Sequence, residues 1–93
     1  MKSYATIDRL EGAFAVCEVE LLTVEESKMG DFADYDTMWI DIPLQDIPES
    51  LGEVKEKDIL VVEHDGQNVI EVYCKDEDEK ARRIEIFKNI MGW

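Results

Sequence analysis

The stretch "KDILVVEHDGQNVIEVYC", Lys57–Cys74, decides the fold. Two runs rich in β-branched residues flank Asp65-Gly66, and a two-residue type I′ turn needs the positive φ that Gly adopts freely and Asp tolerates. Such a turn sets the register, with His64 opposite Gln67, Val62 opposite Val69 and Val61 opposite Ile70. One face of the hairpin then carries Ile59, Val61, Ile70, Val72 and Cys74. The other carries Leu60, Val62, Val69 and Tyr73. Both faces are largely apolar, so the hairpin should be covered on both sides.

One cover is the rest of a sheet. Upstream, Tyr4–Arg9 suits a strand, Glu11-Gly12 a turn, and Ala13–Leu21 a second strand with Ala15, Cys17, Val19 and Leu21 on one face. "TMWIDI", Thr37–Ile42, alternates and predicts a third, with Trp39 opposite in sense to Met38, Ile40 and Ile42. Pro43 and Pro48 bracket a 3₁₀-like link, since proline cannot donate to a ladder. The other cover is a helix over 76–91. Asp76 with Glu79 three residues on forms a capping box in which Asp replaces Ser or Thr. Asp78 with Arg82 and Glu79 with Arg83 make i,i+4 pairs. Ala81, Ile84, Phe87, Ile90 and Met91 form one stripe that should lie on the sheet, with Ile86 off it. The expected fold is mainly β, a small five-stranded antiparallel barrel of the SH3-like or OB-like kind. Residues 1–75 make the barrel with an acidic insertion at 23–36, and the C-terminal α-helix packs on it. At 93 residues, one core and one domain (1–93) are expected.

Certain residues here resemble a known family. "IDRLEGAFAV", "DIPLQDIPESLGEVKEKDILVV" and the terminal "RRIEIFKNIMGW" look like small bacterial proteins grouped as domain-of-unknown-function family number three-thousand-six. That family resembles this chain in an Ile-Asp-Arg-x-Glu-Gly start, here Ile7 to Gly12, and an Ile-Pro pair, here Ile42-Pro43. It also has a Lys-Glu-Gly-Asp turn, here Lys55 to Asp58 with Lys57 in place of glycine, and a C-terminal helix ending in Trp. The loop Thr23–Asp36 is longer than the family's short turn. The resemblance implies a small barrel with a C-terminal helix and implies no activity.

Acidic residues outnumber basic ones 23 to 10, giving a net charge of −13. Nucleic-acid surfaces need clustered Lys and Arg, so this balance argues against nucleic acid and anionic lipid. "MKSYATIDRL" holds no signal-peptide core and no stretch reaches transmembrane length, so a cytoplasmic protein without a membrane segment is expected. Cys17 and Cys74 are too few for a disulfide framework and fall on apolar strand faces, as buried Cys does. A nucleophilic Cys needs exposure and a basic neighbour, and the single His64 abuts a turn. No catalytic group, cofactor or metal site is read here, and no enzyme is expected. Asp31, Asp34 and Asp36 cluster without the spacing of a calcium loop, which leaves only weak, incidental divalent binding.

The expected function is a non-catalytic module that binds a protein, a second copy or another chain. The acidic loop "TVEESKMGDFADYD" carries Met29, Phe32 and Tyr35 at three-residue spacing, which aligns them along one side of a helical turn, and Trp39 follows. With the off-stripe Ile86 they form the expected contact surface, because aromatic and Met side chains are enriched at interface cores. Asp8-Arg9 is the expected pair at the barrel rim, satisfying each other, backbone groups or a ligand. An oligonucleotide-binding small barrel is the other reading: the fold permits it and the charge opposes it.

Overall fold

A computed structural model of the chain describes residues 1–29 and 36–91, with the side chains of 28, 29, 90 and 91 outside the description. Five strands form one antiparallel sheet: β1 (Lys2–Glu11), β2 (Phe14–Glu20), β3 (Thr37–Pro43), β4 (Ile59–His64) and β5 (Val69–Lys75). A short helix, α1 (Val24–Met29), follows β2, and the C-terminal helix α2 spans Glu77–Met91. Two 3₁₀ turns, Leu44–Asp46 and Glu49–Leu51, lie between β3 and β4, each entered through a proline as the Pro43/Pro48 pattern predicts.

The strand order is β3-β2-β1-β4-β5, so β3 and β5 are edges and the sheet is not closed. The closed barrel expected from the sequence is therefore reduced to a curled open sheet. Its inner face carries Ala5, Ile7, Ala15, Cys17, Val19, Ile42, Leu60, Val62 and Val72. Ile47, Leu44, Leu51 and Val54 of the proline-bracketed link close over that face. A bulge between Ile7 and Arg9 bends β1, and Asp8 is the residue left out of the pairing with β2.

The hairpin forms, but not in the register of a two-residue turn. His64 pairs with Val69, and 65–68 make the connection. Asp65 causes the difference: its Oδ1 accepts the N–H of Gln67 at 2.8 Å and of Asn68 at 2.7 Å. That side-chain turn widens the loop by two residues, with Gly66 supplying φ +93. Further register shifts at Val61/Val62 and Glu63/His64 change which β5 residues face inward. Leu60, Val62 and Val72 share the core, whereas Ile70, Tyr73 and Cys74 are exposed. The expectation that both faces of the hairpin are covered fails for β5, which is an edge. Cys74, expected to be buried, is exposed. Cys17 is buried, and burial first, then Asp41, pushes its thiol up to about 12.

The helix begins where its cap predicts. Asp76 Oδ1 accepts the Glu79 N–H at 2.9 Å. The second half of the capping box is missing, because the Asp76 N–H donates to the Ile59 carbonyl and Glu79 turns elsewhere. The described part of the apolar stripe, Ala81, Ile84 and Phe87, is not buried against the sheet. Ile84 and Phe87 are 41% and 54% exposed and Ala81 is exposed, whereas Ile86 is half-buried. The face of α2 turned to the protein is the charged one. No described helix is long and apolar enough to cross a membrane.

Candidate functional site

Three features of the described residues have the chemistry of a site, and all follow from how α2 and the two edge strands are placed. The first is a set of buried charges under α2. Glu20, at the end of β2, is 3% exposed and accepts both terminal nitrogens of Arg83, at 2.9 and 3.1 Å. Ser27 of α1 donates to the same carboxylate at 3.2 Å. Glu79, equally buried, accepts Arg83 Nε at 2.7 Å and two nitrogens of Arg82 at 2.7 Å. The Arg83 guanidinium lies over the Tyr4 ring at 5.0 Å, and Tyr4 donates to Asp76 at 2.9 Å. Bidentate geometry of this kind is what holds an arginine among carboxylates out of water. Burial alone would raise the Glu79 carboxyl, but the hydrogen bonds and charges of the two arginines outweigh it and hold it below its ordinary value.

A second set of charges locks the start of α2 to the β3–β4 link. Asp58, 1% exposed, accepts Lys80 Nζ at 2.7 Å and the Lys55 N–H at 2.9 Å, with Lys75 at 3.8 Å. Burial pushes this carboxyl up, and Lys80, the Lys55 amide and Lys75 together bring it below the usual range. Every oxygen in both sets is engaged by a donor of the chain itself. These sets read as structure: they fix α2 and offer no free nucleophile or base.

The fixed helix creates the second feature. A groove of about 400 Å³ opens between α2 and the outer face of the sheet, lined by Thr6, Lys57, Ile59, Lys80, Arg83, Ile84, Phe87 and Lys88. Three apolar side chains form its floor, and four of the chain's ten cations surround them. Among the described residues no carboxylate lines it, on a molecule of net charge −13. The third feature is a cleft of about 580 Å³ whose walls are both sheet edges: Ile40–Pro43 of β3 with Asp46 and Pro48 on one side, and 68–72 on the other.

The sequence-predicted site residues are scattered among these features. Phe32 and Tyr35, with Asp31 and Asp34, lie outside the described residues, and Met29 ends α1 with its side chain outside the description. Trp39 is 58% exposed on the face of β3 opposite Met38, Ile40 and Ile42, the alternation expected of it. Ile86 is half-buried, so its expected exposure is corrected, and Ile84 and Phe87 occupy the open face instead. Arg9 donates to Asp8 and Glu11, each at 2.8 Å, and all three are exposed beside the β1 bulge. They are a surface ion cluster rather than partly buried charges. Among the described residues, no group of three His, Cys, Asp or Glu side chains is arranged to hold a metal.

His64 is buried and internally satisfied. The Gly66 N–H donates to its Nδ1 at 3.1 Å, which makes Nδ1 the acceptor and places the proton on Nε2, 2.8 Å from Ser3 Oγ. Ser3 in turn donates to the Leu22 carbonyl. Burial, then the N-terminal charge, holds this imidazole below its ordinary value. Comparison with family models, with curated proteins and with solved structures returned no match for this chain.

Proposed function

We propose that this protein is a non-catalytic protein-interaction module whose contact surface is the groove of Ile59, Ile84 and Phe87. The observation that supports the reading is an inversion: α2 is held down by charges and presents its apolar stripe outward, into a groove rimmed by cations. An exposed apolar strip with a charged rim is the form of a binding face, where an anchor side chain gains burial and the rim selects charge. The partner it fits is a protein segment with apolar anchors among acidic residues. An oligonucleotide is the second reading, because Phe87 among cations suits base stacking. The net charge weighs against it; Lys80 and Arg83 already engage Asp58, Glu20 and Glu79, so Lys57 and Lys88 are the rim cations that would meet an acidic partner.

We propose further that the curled sheet is a partly open barrel related to the family it resembles. Both edges walling one cleft support the first part. Lys57 supports the second: it takes φ +72 at the position where the family has glycine.

The test uses fluorescently labelled helical probes of equal length, one of alternating Glu and Leu faces, one of Lys and Leu, and a single-stranded DNA, each titrated at ~0.05–0.2 M salt, over which the Debye length falls about twofold. The acidic probe should bind, weaken with salt and lose about tenfold or more in affinity on Phe87→Ser. Tighter binding of the DNA, or acidic-probe binding unaffected by Phe87→Ser, would overturn this assignment.

A further inference from the structure

The second cleft carries its own inference, and it starts from strand direction. β1 is antiparallel to β2 and to β4, β2 to β3, and β4 to β5. Strands β1, β3 and β5 therefore run one way and β2 and β4 the other. Closing the ring directly would set β3 beside β5 in parallel, the single parallel pair in an antiparallel sheet. One more strand, antiparallel to both edges, would close it with the same ladder throughout.

Both edges line the same cleft, and the β3 edge has backbone groups to pair. Leu44 N–H bonds to Ala13 O and Leu21 N–H to Asp36 O, so the even-numbered residues of β3 are those hydrogen-bonded to β2. By the alternation of an antiparallel ladder, the N–H and C=O of Trp39 and Asp41 point away from β2, along the open edge. A strand residue fills roughly 160 Å³, from a rise near 3.3 Å, a strand spacing near 4.8 Å and a sheet thickness near 10 Å. The cleft of about 580 Å³ thus takes about four residues of extended chain. Its lining alternates apolar side chains (Ile40, Ile42, Ile70, Val72) with Asp41, Asp46 and Glu71, and among the described residues includes no Lys, Arg or His.

We propose that the β3–β5 cleft receives one extended segment of a partner polypeptide, antiparallel to both edges, with apolar and basic residues in alternation. Main-chain hydrogen bonds supply the pairing, and the acidic lining selects the cations. The inference extends the protein-binding reading to a second surface and does not depend on the α2 groove.

The probe is an acetylated, amidated hexapeptide of alternating Lys and Val, beside a version with Glu for Lys, followed by titration and by amide hydrogen exchange on the whole chain. The Lys peptide should bind at least about tenfold more tightly than the Glu peptide and slow exchange at Trp39 and Asp41 by about tenfold or more. Asp41→Pro removes an edge N–H that β2 does not use, and should abolish binding while the sheet persists. Should that variant fail to fold, Asp41→Lys/Glu71→Lys should turn the preference toward the Glu peptide. Phe87→Ser should leave peptide binding intact, which separates this cleft from the α2 groove. Three results would overturn the inference: no binding at millimolar peptide, binding without slowed exchange at Trp39 and Asp41, or a peptide-free dimer that already protects those amides.

Discussion

Lys57 holds φ +72, a conformation in which an L side chain crowds its own backbone. The turn around it explains why it stays there. Lys57 N–H donates to Ile7 O at 2.7 Å, Asp58 N–H to Lys55 O at 3.1 Å, and Asp58 O accepts the Ile7 N–H at 2.9 Å. The third residue of such a turn is a glycine position. Lys57→Gly should therefore stabilise the protein by about 0.5–1 kcal/mol despite the entropy of glycine in the unfolded chain, as read by chemical denaturation. An unchanged or lower midpoint would mean that the Lys57 side chain contributes more than its backbone strain costs. His64 gives the pH dependence at this scale. Its folded-state value lies below the ordinary 6.5, so the unfolded chain binds the extra proton first. The His64 contribution is full above pH 6.5 and declines as pH falls below it; the carboxyls of Asp58 and Glu79, also lowered, act only nearer their ordinary values of 3.8 and 4.5. Unfolding free energy should fall between pH 7.5 and about 5.5 in the parent and stay flat in His64→Gln, which keeps a donor and an acceptor without the titration. The sequence placed His64 beside a turn, but the buried bond to Ser3 joins residues 61 positions apart and leaves no local signal.

At the scale of elements, α2 shows what a sequence pattern tells and what it omits. Its start was legible in Asp76 and Glu79, and the strands β1 to β3 in their alternation and turns. Its docking face was not. Glu79 and Arg83 look like a surface i,i+4 pair, and only Glu20, on a strand far upstream, converts them into a buried lock. The β4–β5 register was misread for a comparable reason: Asp-Gly reads as a two-residue turn until the Asp65 side chain claims two amides. Removing Arg83 should leave Glu20 and Glu79 buried with half their partners gone. Arg83→Met should cost about 3 kcal/mol or more, larger than a methionine of similar length would cost at a surface site. A loss under about 1 kcal/mol would mean that α2 is held by something other than these charges.

Across the whole molecule, charge is distributed against its own average. The surface is strongly acidic, yet four of ten cations gather around one apolar groove, and the charged residues described in the other cleft, Asp41, Asp46 and Glu71, are all acidic. Two surfaces of opposite sign on an open sheet are what the proposed interaction module would use to select its partners by charge. The composition excluded a basic nucleic-acid footprint on average, but averages do not locate patches, and the stripe that marked α2 as a sheet-covering helix is the same stripe that forms the groove. Ile84 and Phe87 are surface and not core. The unfolding free energy of Ile84→Ser/Phe87→Ser tests this most directly. The double variant should stay within about 1 kcal/mol of the parent, as for exposed positions. A loss of about 3 kcal/mol or more, the cost of truncating two core side chains, would contradict it.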